Sequence, residues 1–101
     1  MAKTIEIVTF RLKDGVTEEA FVEETKKMER EFLGKLQGFI DRDTGRSETG
    51  DWVVVLHWER AEDAQASMDK FVAAPGTKAF TSLINLDTFV MKRFELKDHY
   101  Q

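Results

Sequence analysis

One histidine of this chain, His57, falls inside a segment patterned like a regular element, while His99 lies in the terminal tail. A neutral imidazole can take a proton from an acidic phenol and so open a route to reaction with oxygen. The same side chain can instead be packed at an interface with both ring nitrogens satisfied, and a lone histidine does not choose between the two. Asp41 and Asp43 share one strand face, with Glu48 and Asp51 close behind. Without histidine or ordered ligand spacing, these carboxylates read as a solvated edge balanced by Arg42 and Arg46 rather than as a metal site. The absence of cysteine removes disulfides, thiol nucleophiles and cysteine-ligated metal or iron–sulfur centres. No phosphate-cradling glycine loop, dinucleotide fingerprint or serine nucleophile motif is present.

The elements that would position these groups follow from spacing. Ile5 to Leu12 has apolar residues on both alternating sets, as a strand covered on both faces does. Lys13-Asp14-Gly15 turns the chain. Thr17 is a fitting N-cap, with Glu18 and Glu19 at the positive end of the helix that follows. Phe21, Thr25, Met28, Phe32 and Leu36 form its apolar stripe, which extends the helix to about Gln37, ending at Gly38. Phe39 to Arg46 is a polar second strand suited to an edge. Ser47 to Asp51 turns into a third strand, Trp52 to Glu59, giving a hairpin. Trp52, Val54, Leu56 and Trp58 occupy one face of this strand, and Val53, Val55 and His57 the other, so it should be central. A second helix spans Ala61 to Ala74, Pro75-Gly76 interrupts it, and helix resumes near Thr77. Asn85-Leu86-Asp87 then turns into a last strand, Thr88 to Leu96, before a frayed tail.

The chain of 101 residues suits one domain, residues 1–101, with 42% hydrophobic and 34% charged residues. A net charge of -4 gives no concentrated basic surface, so neither nucleic acid nor a membrane surface is an expected partner. No basic stretch precedes an apolar core at the N-terminus, and no apolar run nears the roughly 20 residues that span a bilayer. A cytoplasmic location is the expectation.

The order β-α-β-β-α-β predicts an α+β, ferredoxin-like split fold: an antiparallel four-stranded sheet with two helices on one face. Three of the four strands carry apolar side chains on both faces. At about 25 cal/mol per Å² of apolar surface, leaving the uncovered face wet forgoes several kcal/mol. A homodimer joined through that face, the two sheets forming a dimeric α/β barrel, avoids the loss.

Ile7-Val-Thr-Phe-Arg-Leu-Lys-Asp-Gly15, the strand ending in Trp58-Glu59, and the Phe71…Pro75…Phe80 helix break resemble the antibiotic biosynthesis monooxygenase family, from about Ile5 to Leu96. The resemblance implies the dimeric barrel and a hydrophobic substrate held between sheet and helices. It also implies, in some members, oxidation of aromatic compounds with neither metal nor flavin, so no cofactor is expected. Haem-degrading relatives use an Asn, a Trp and a His. Here the Asn position corresponds to Phe10, the second helix offers Met68 and Phe71, and the later helical segment reads Thr77-Lys-Ala-Phe-Thr-Ser82, which does not match. The candidate catalytic residue is His57. Phe10, Trp58, Met68, Phe71 and Phe80 are the candidate substrate-binding residues, although the four other than Trp58 would serve equally in an ordinary core. Trp52 reads as core, and Trp58, near a strand end, can stack on a flat ligand or fill the core. The alternative function is a non-catalytic small-molecule-binding or stress-associated barrel.

Overall fold

A computed structural model describes residues 3–74 and 77–101 of the chain. In order they form β1 (Thr4–Leu12), α1 (Glu18–Glu31), a 3-10 turn (Leu33–Lys35), β2 (Phe39–Arg46), β3 (Trp52–Trp58), α2 (Ala61–Ala73), α3 (Lys78–Thr81) and β4 (Ile84–Glu95). The strands make one antiparallel sheet in the order β2-β3-β1-β4, the ferredoxin-like arrangement that the element order predicts. The expected helix interruption at Pro75-Gly76 lies outside the described residues. No described helix is long and apolar enough to cross a membrane.

β1 and β3 sit at the centre of the sheet, and each strictly alternates burial along most of its length. Thr4, Glu6, Val8 and Phe10 of β1 and Trp52, Val54, Leu56 and Trp58 of β3 are buried under the helices. Phe21 of α1 is fully buried and joins three elements. Its ring centroid lies 5.6 Å from Phe10, 4.8 Å from Trp52 and 5.4 Å from Phe80. The first two are edge-on and the third is tilted, and aromatic pairs of this kind add to the stabilisation from burial itself. The opposite face carries Ile5, Ile7, Val53 and Val55, all only half-buried, with Val90 50% and Phe94 46% exposed at its edge.

α1 begins as its cap predicts, with the Thr17 hydroxyl accepting from the Ala20 N–H at 3.1 Å. It ends at Glu31, not near Gln37, because Phe32 leaves helical geometry (φ -126°, ψ -68°) and a 3-10 turn follows. Gly34 allows this tight turn, since a Cβ there would lie 3.0 Å from the Glu29 carbonyl. The turn swings Leu33 into the core and brings Leu36 against it.

β4 starts at Ile84 rather than Thr88, with the expected turn contained inside it as a wide bulge. Thr9 pairs with Val90 and Arg11 with Asn85, so four residues of β4 loop out opposite Phe10 alone. The excursion is held locally: the Asp87 N–H donates to Asn85 Oδ1 at 3.1 Å, and the Thr88 hydroxyl accepts from the Arg11 N–H at 2.8 Å. Side-chain oxygens thus take over where the ladder is broken.

Gly38 links the 3-10 turn to β2 with φ +81°, and a Cβ there would overlap the Asp63 carboxylate of α2. Gly38→Ala should therefore cost about 2 kcal/mol or more, through backbone strain and displacement of a buried carboxylate. The loss should appear as a lower urea midpoint at unchanged slope, and it should shrink when Asp63 is first replaced by Ala.

Candidate functional site

Strand register places four side chains in one row across the helix-covered face. Arg42 of β2 is opposite Leu56 of β3, Leu56 is opposite Glu6 of β1, and Glu6 is opposite Arg93 of β4. Two interstrand spacings separate the Arg42 and Glu6 backbones, about 10 Å. The row therefore reads cation, aliphatic, anion, cation from one sheet edge to the other.

Burial makes these charges costly unless they are paired. The Glu6 side chain is only 6% exposed, and Arg93 Nε donates to its Oε2 at 2.8 Å. The Trp58 indole N–H approaches Glu6 Oε1 at 3.4 Å. Arg93 is steadied in turn by Nη1 donating to Gln65 Oε1 of α2 at 2.6 Å. At the other end the Arg42 side chain is 4% exposed, and its Nη1 donates to Glu29 Oε2 of α1 at 2.9 Å. Burial holds the Arg42 pKa below its ordinary value, with the Glu29 carboxylate opposing that shift. The guanidinium nevertheless stays cationic at neutral pH.

Above this row lies a cavity of about 100 Å³. Val8, Val54, Leu56 and Ile84 supply its aliphatic wall, and Phe10, Phe80 and Phe71 its aromatic one. Glu6, Arg42 and the Ser67 hydroxyl are the polar side chains lining it. Of the lining residues, Met68 and Phe71 are half-buried and Phe89 is 39% exposed, so the cavity reaches the surface between α2 and the β4 bulge. An apolar chamber with a few converging polar groups is the usual form of a small-molecule site.

The structure brings Phe10, Met68, Phe71 and Phe80 of the sequence candidates to this cavity. It does not bring His57 or Trp58 there. His57 alternates with the buried residues of β3 and lies on the opposite sheet face, its Nδ1 2.6 Å from Asp41 Oδ1. It cannot reach a molecule held between sheet and helices without crossing the sheet. Trp58 does face the helices, but it is fully buried and packs edge-on against Phe39 at 5.5 Å. Its indole backs Glu6 and offers no open ring face to the cavity. Asp41 and Asp43 remain on the exposed edge, and no group of three or more metal-ligating side chains gathers among the described residues.

Glu6 and Arg42 are the residues that sequence reading missed. Glu6 carried a usable signal, being charged on the same alternating set as Val8, Phe10 and Leu12. Arg42 carried a weaker one: it alternates with Asp41 and Asp43 and so had to face away from them, toward the helices.

Known structures share this architecture end to end. SnoaB, a cofactor-independent oxygenase from Streptomyces nogalater, superposes with a TM-score of 0.74 at 14% identity, covering 98% of this chain and 97% of its own. The monooxygenase from the ActVA-Orf6 gene of Streptomyces coelicolor, solved with nanaomycin D, gives 0.76 at 17% identity, covering 99% and 92%. An antibiotic biosynthesis monooxygenase-like protein of Chloroflexus aurantiacus gives 0.71 at 12% identity, covering 99% and 98%. No family model and no curated protein matches the chain. At these identities the likeness establishes the fold, which is the one the sequence resemblance implied.

The row also makes a stability prediction. Arg93→Met leaves the buried Glu6 carboxylate with a single long hydrogen bond and should cost about 2–3 kcal/mol. Combined with Glu6→Gln, the loss should fall well short of the sum of the two single changes. A double-mutant cycle in urea checks this, and strictly additive losses would contradict the pairing.

Proposed function

We propose that the chain is a cofactor-independent monooxygenase-like protein that takes a hydrophobic or aromatic small molecule into the cavity between sheet and helices. The observation that carries this reading is a buried carboxylate, Glu6, lining a chamber whose walls are mostly apolar. Phe10, Phe71, Phe80 and Met68 contact the ring system. Glu6 accepts the proton of an acidic phenol or of an activated ring methylene, and the low-polarity walls exclude competing water. The resulting electron-rich anion reduces oxygen directly. For an anthrone-type methylene the balance is CH2 + O2 → C=O + H2O: two C–H bonds break, one oxygen atom stays on carbon, and the other leaves as water. That the oxygenases SnoaB and the ActVA-Orf6 product share this fold supports the choice of reaction class.

In this reading the functional unit is a homodimer. Ile5, Ile7, Val53, Val55, Val90 and Phe94 form an apolar sheet face that no helix among the described residues covers. A second copy covers it, and the His57–Asp41 pair lies in or beside that contact as a satisfied polar element. The second reading, a binding protein without turnover, is favoured by one observation: Glu6 is already engaged by both Arg93 and Trp58.

Two measurements test these statements. With an anthrone or quinol substrate, Glu6→Gln should lower the rate of oxygen uptake at least about 100-fold, while His57→Ala stays within about twofold of the original rate. The opposite ranking would refute the assignment of Glu6, and ligand-dependent thermal stabilisation without product would favour the binding protein. In sedimentation equilibrium the protein should be a dimer at micromolar concentration and Val55→Glu a monomer. A monomer before substitution would refute the covered face.

A further inference from the structure

Arg42 is the charged lining residue whose chemistry the proposed reaction leaves unused. Its side chain is 4% exposed, yet it carries five N–H donors in a fixed fork. Among the described residues the guanidinium makes one hydrogen bond, from Nη1 to Glu29. The enclosed side-chain atoms without any partner are Thr25 Oγ1 and Arg93 Nη2. The remaining Arg42 nitrogens are therefore not among the sealed, unpartnered atoms, and Arg42 is one of the residues that line the cavity. The guanidinium also sits over Phe80, Cζ 5.8 Å from the ring centroid, which fixes it beside the aromatic wall that a flat ligand would contact.

The charges around it favour an incoming anion. Among the described residues Glu29 is the acid paired with Arg42, and its side chain is 36% exposed, so water can solvate it if it turns away. Glu6 is two strands distant and already balanced by Arg93. A buried guanidinium with unused donors binds a planar carboxylate through two parallel hydrogen bonds, a geometry that a neutral amide or hydroxyl cannot match.

We infer that the cavity selects ligands bearing an anionic group, above all an aromatic or otherwise planar carboxylic acid, which docks on Arg42 with its ring over Leu56 and its far end toward Glu6. This rests on the cavity being the ligand site and adds the ligand's charge and orientation to it. Arg42 is then a specificity residue and Glu6 the group at the reacting end, the two about 10 Å apart along the sheet.

The test is titration of benzoate and of the neutral isostere benzamide, followed by backbone amide NMR on the whole chain. Benzoate should bind at least tenfold more tightly than benzamide and shift the resonances of Arg42 and Leu56. Arg42→Gln should abolish the preference, weakening benzoate far more than benzamide. Glu29→Gln, which frees Arg42 without altering the cavity wall, should tighten benzoate several-fold, and it serves as the deciding variant should Arg42→Gln not fold. Equal affinities in the unaltered protein, a preference that survives Arg42→Gln, or no gain in Glu29→Gln would each overturn the inference. Benzamide binding as well as benzoate refutes the role of Arg42 alone, whereas shifts from neither compound refute the cavity as a ligand site.

Discussion

A four-stranded sheet has two faces, and this chain supplies helices for one. That constraint sorts the side chains. Alternate residues of β1 and β3 from Thr4 to Phe10 and from Trp52 to Trp58 are buried beneath the helices, and the residues between them form a largely apolar layer that no helix among the described residues covers. Because strand periodicity is two, a residue's parity decides which environment it meets. His57 and Trp58 are adjacent in sequence and end up on opposite sides of the sheet. The two sides accordingly differ: one encloses a chamber with charged groups in its floor, and the other presents half-buried and exposed apolar side chains.

The enclosed side departs from an ordinary core in its electrostatics. Replacing a buried ion pair by well-packed apolar residues is often neutral or stabilising, so the Glu6–Arg93 pair adds little to folding on its own account. Glu6, Arg93 and Gln65 nevertheless connect β1, β4 and α2 in one chain of hydrogen bonds, and Arg42 with Glu29 connects β2 to α1. Each charge is held by a partner on a different element. Such cross-links fix the position of polar groups inside an apolar layer, which is a requirement of a site rather than of a core.

Much of this was legible in the sequence because it follows from periodicity. The order of elements, the central place of Trp52–Trp58 and the inward set around Phe10 all come from alternation or helical spacing. What was not legible depends on register between segments far apart in the chain. Glu6 and Arg93 are 87 residues apart, and only the pairing of β1 with β4 makes them neighbours. Arg42 looked solvated because it stands between two aspartates that are in fact exposed, and its burial follows from α1 lying over that edge. His57 drew attention by residue type, and only the pairing of β3 with β1 sets it on the face opposite Phe10. The early end of α1 turned on Phe32 and Gly34, where the need to seat Leu33 outweighs helical spacing.

Cavity size sets the remaining condition on function. About 100 Å³ is below the roughly 300–1,000 Å³ typical of pockets that enclose larger ligands, so a multi-ring molecule requires the chamber to open. The floor cannot yield, because Val8, Val54, Leu56 and Glu6 lie on the two central strands with a ladder on either side. The mouth can. Met68 is an unbranched side chain that repacks readily, Phe71 stands two residues from the end of α2, and Phe89 belongs to the β4 bulge, which lacks regular ladder pairing. Enlargement there would leave Glu6 and Arg42 in place while admitting more of the ligand. On the proposed reading, a rigid polar floor beneath an adaptable apolar rim would let the site hold the reacting end of a ligand in one geometry and tolerate variation at the other.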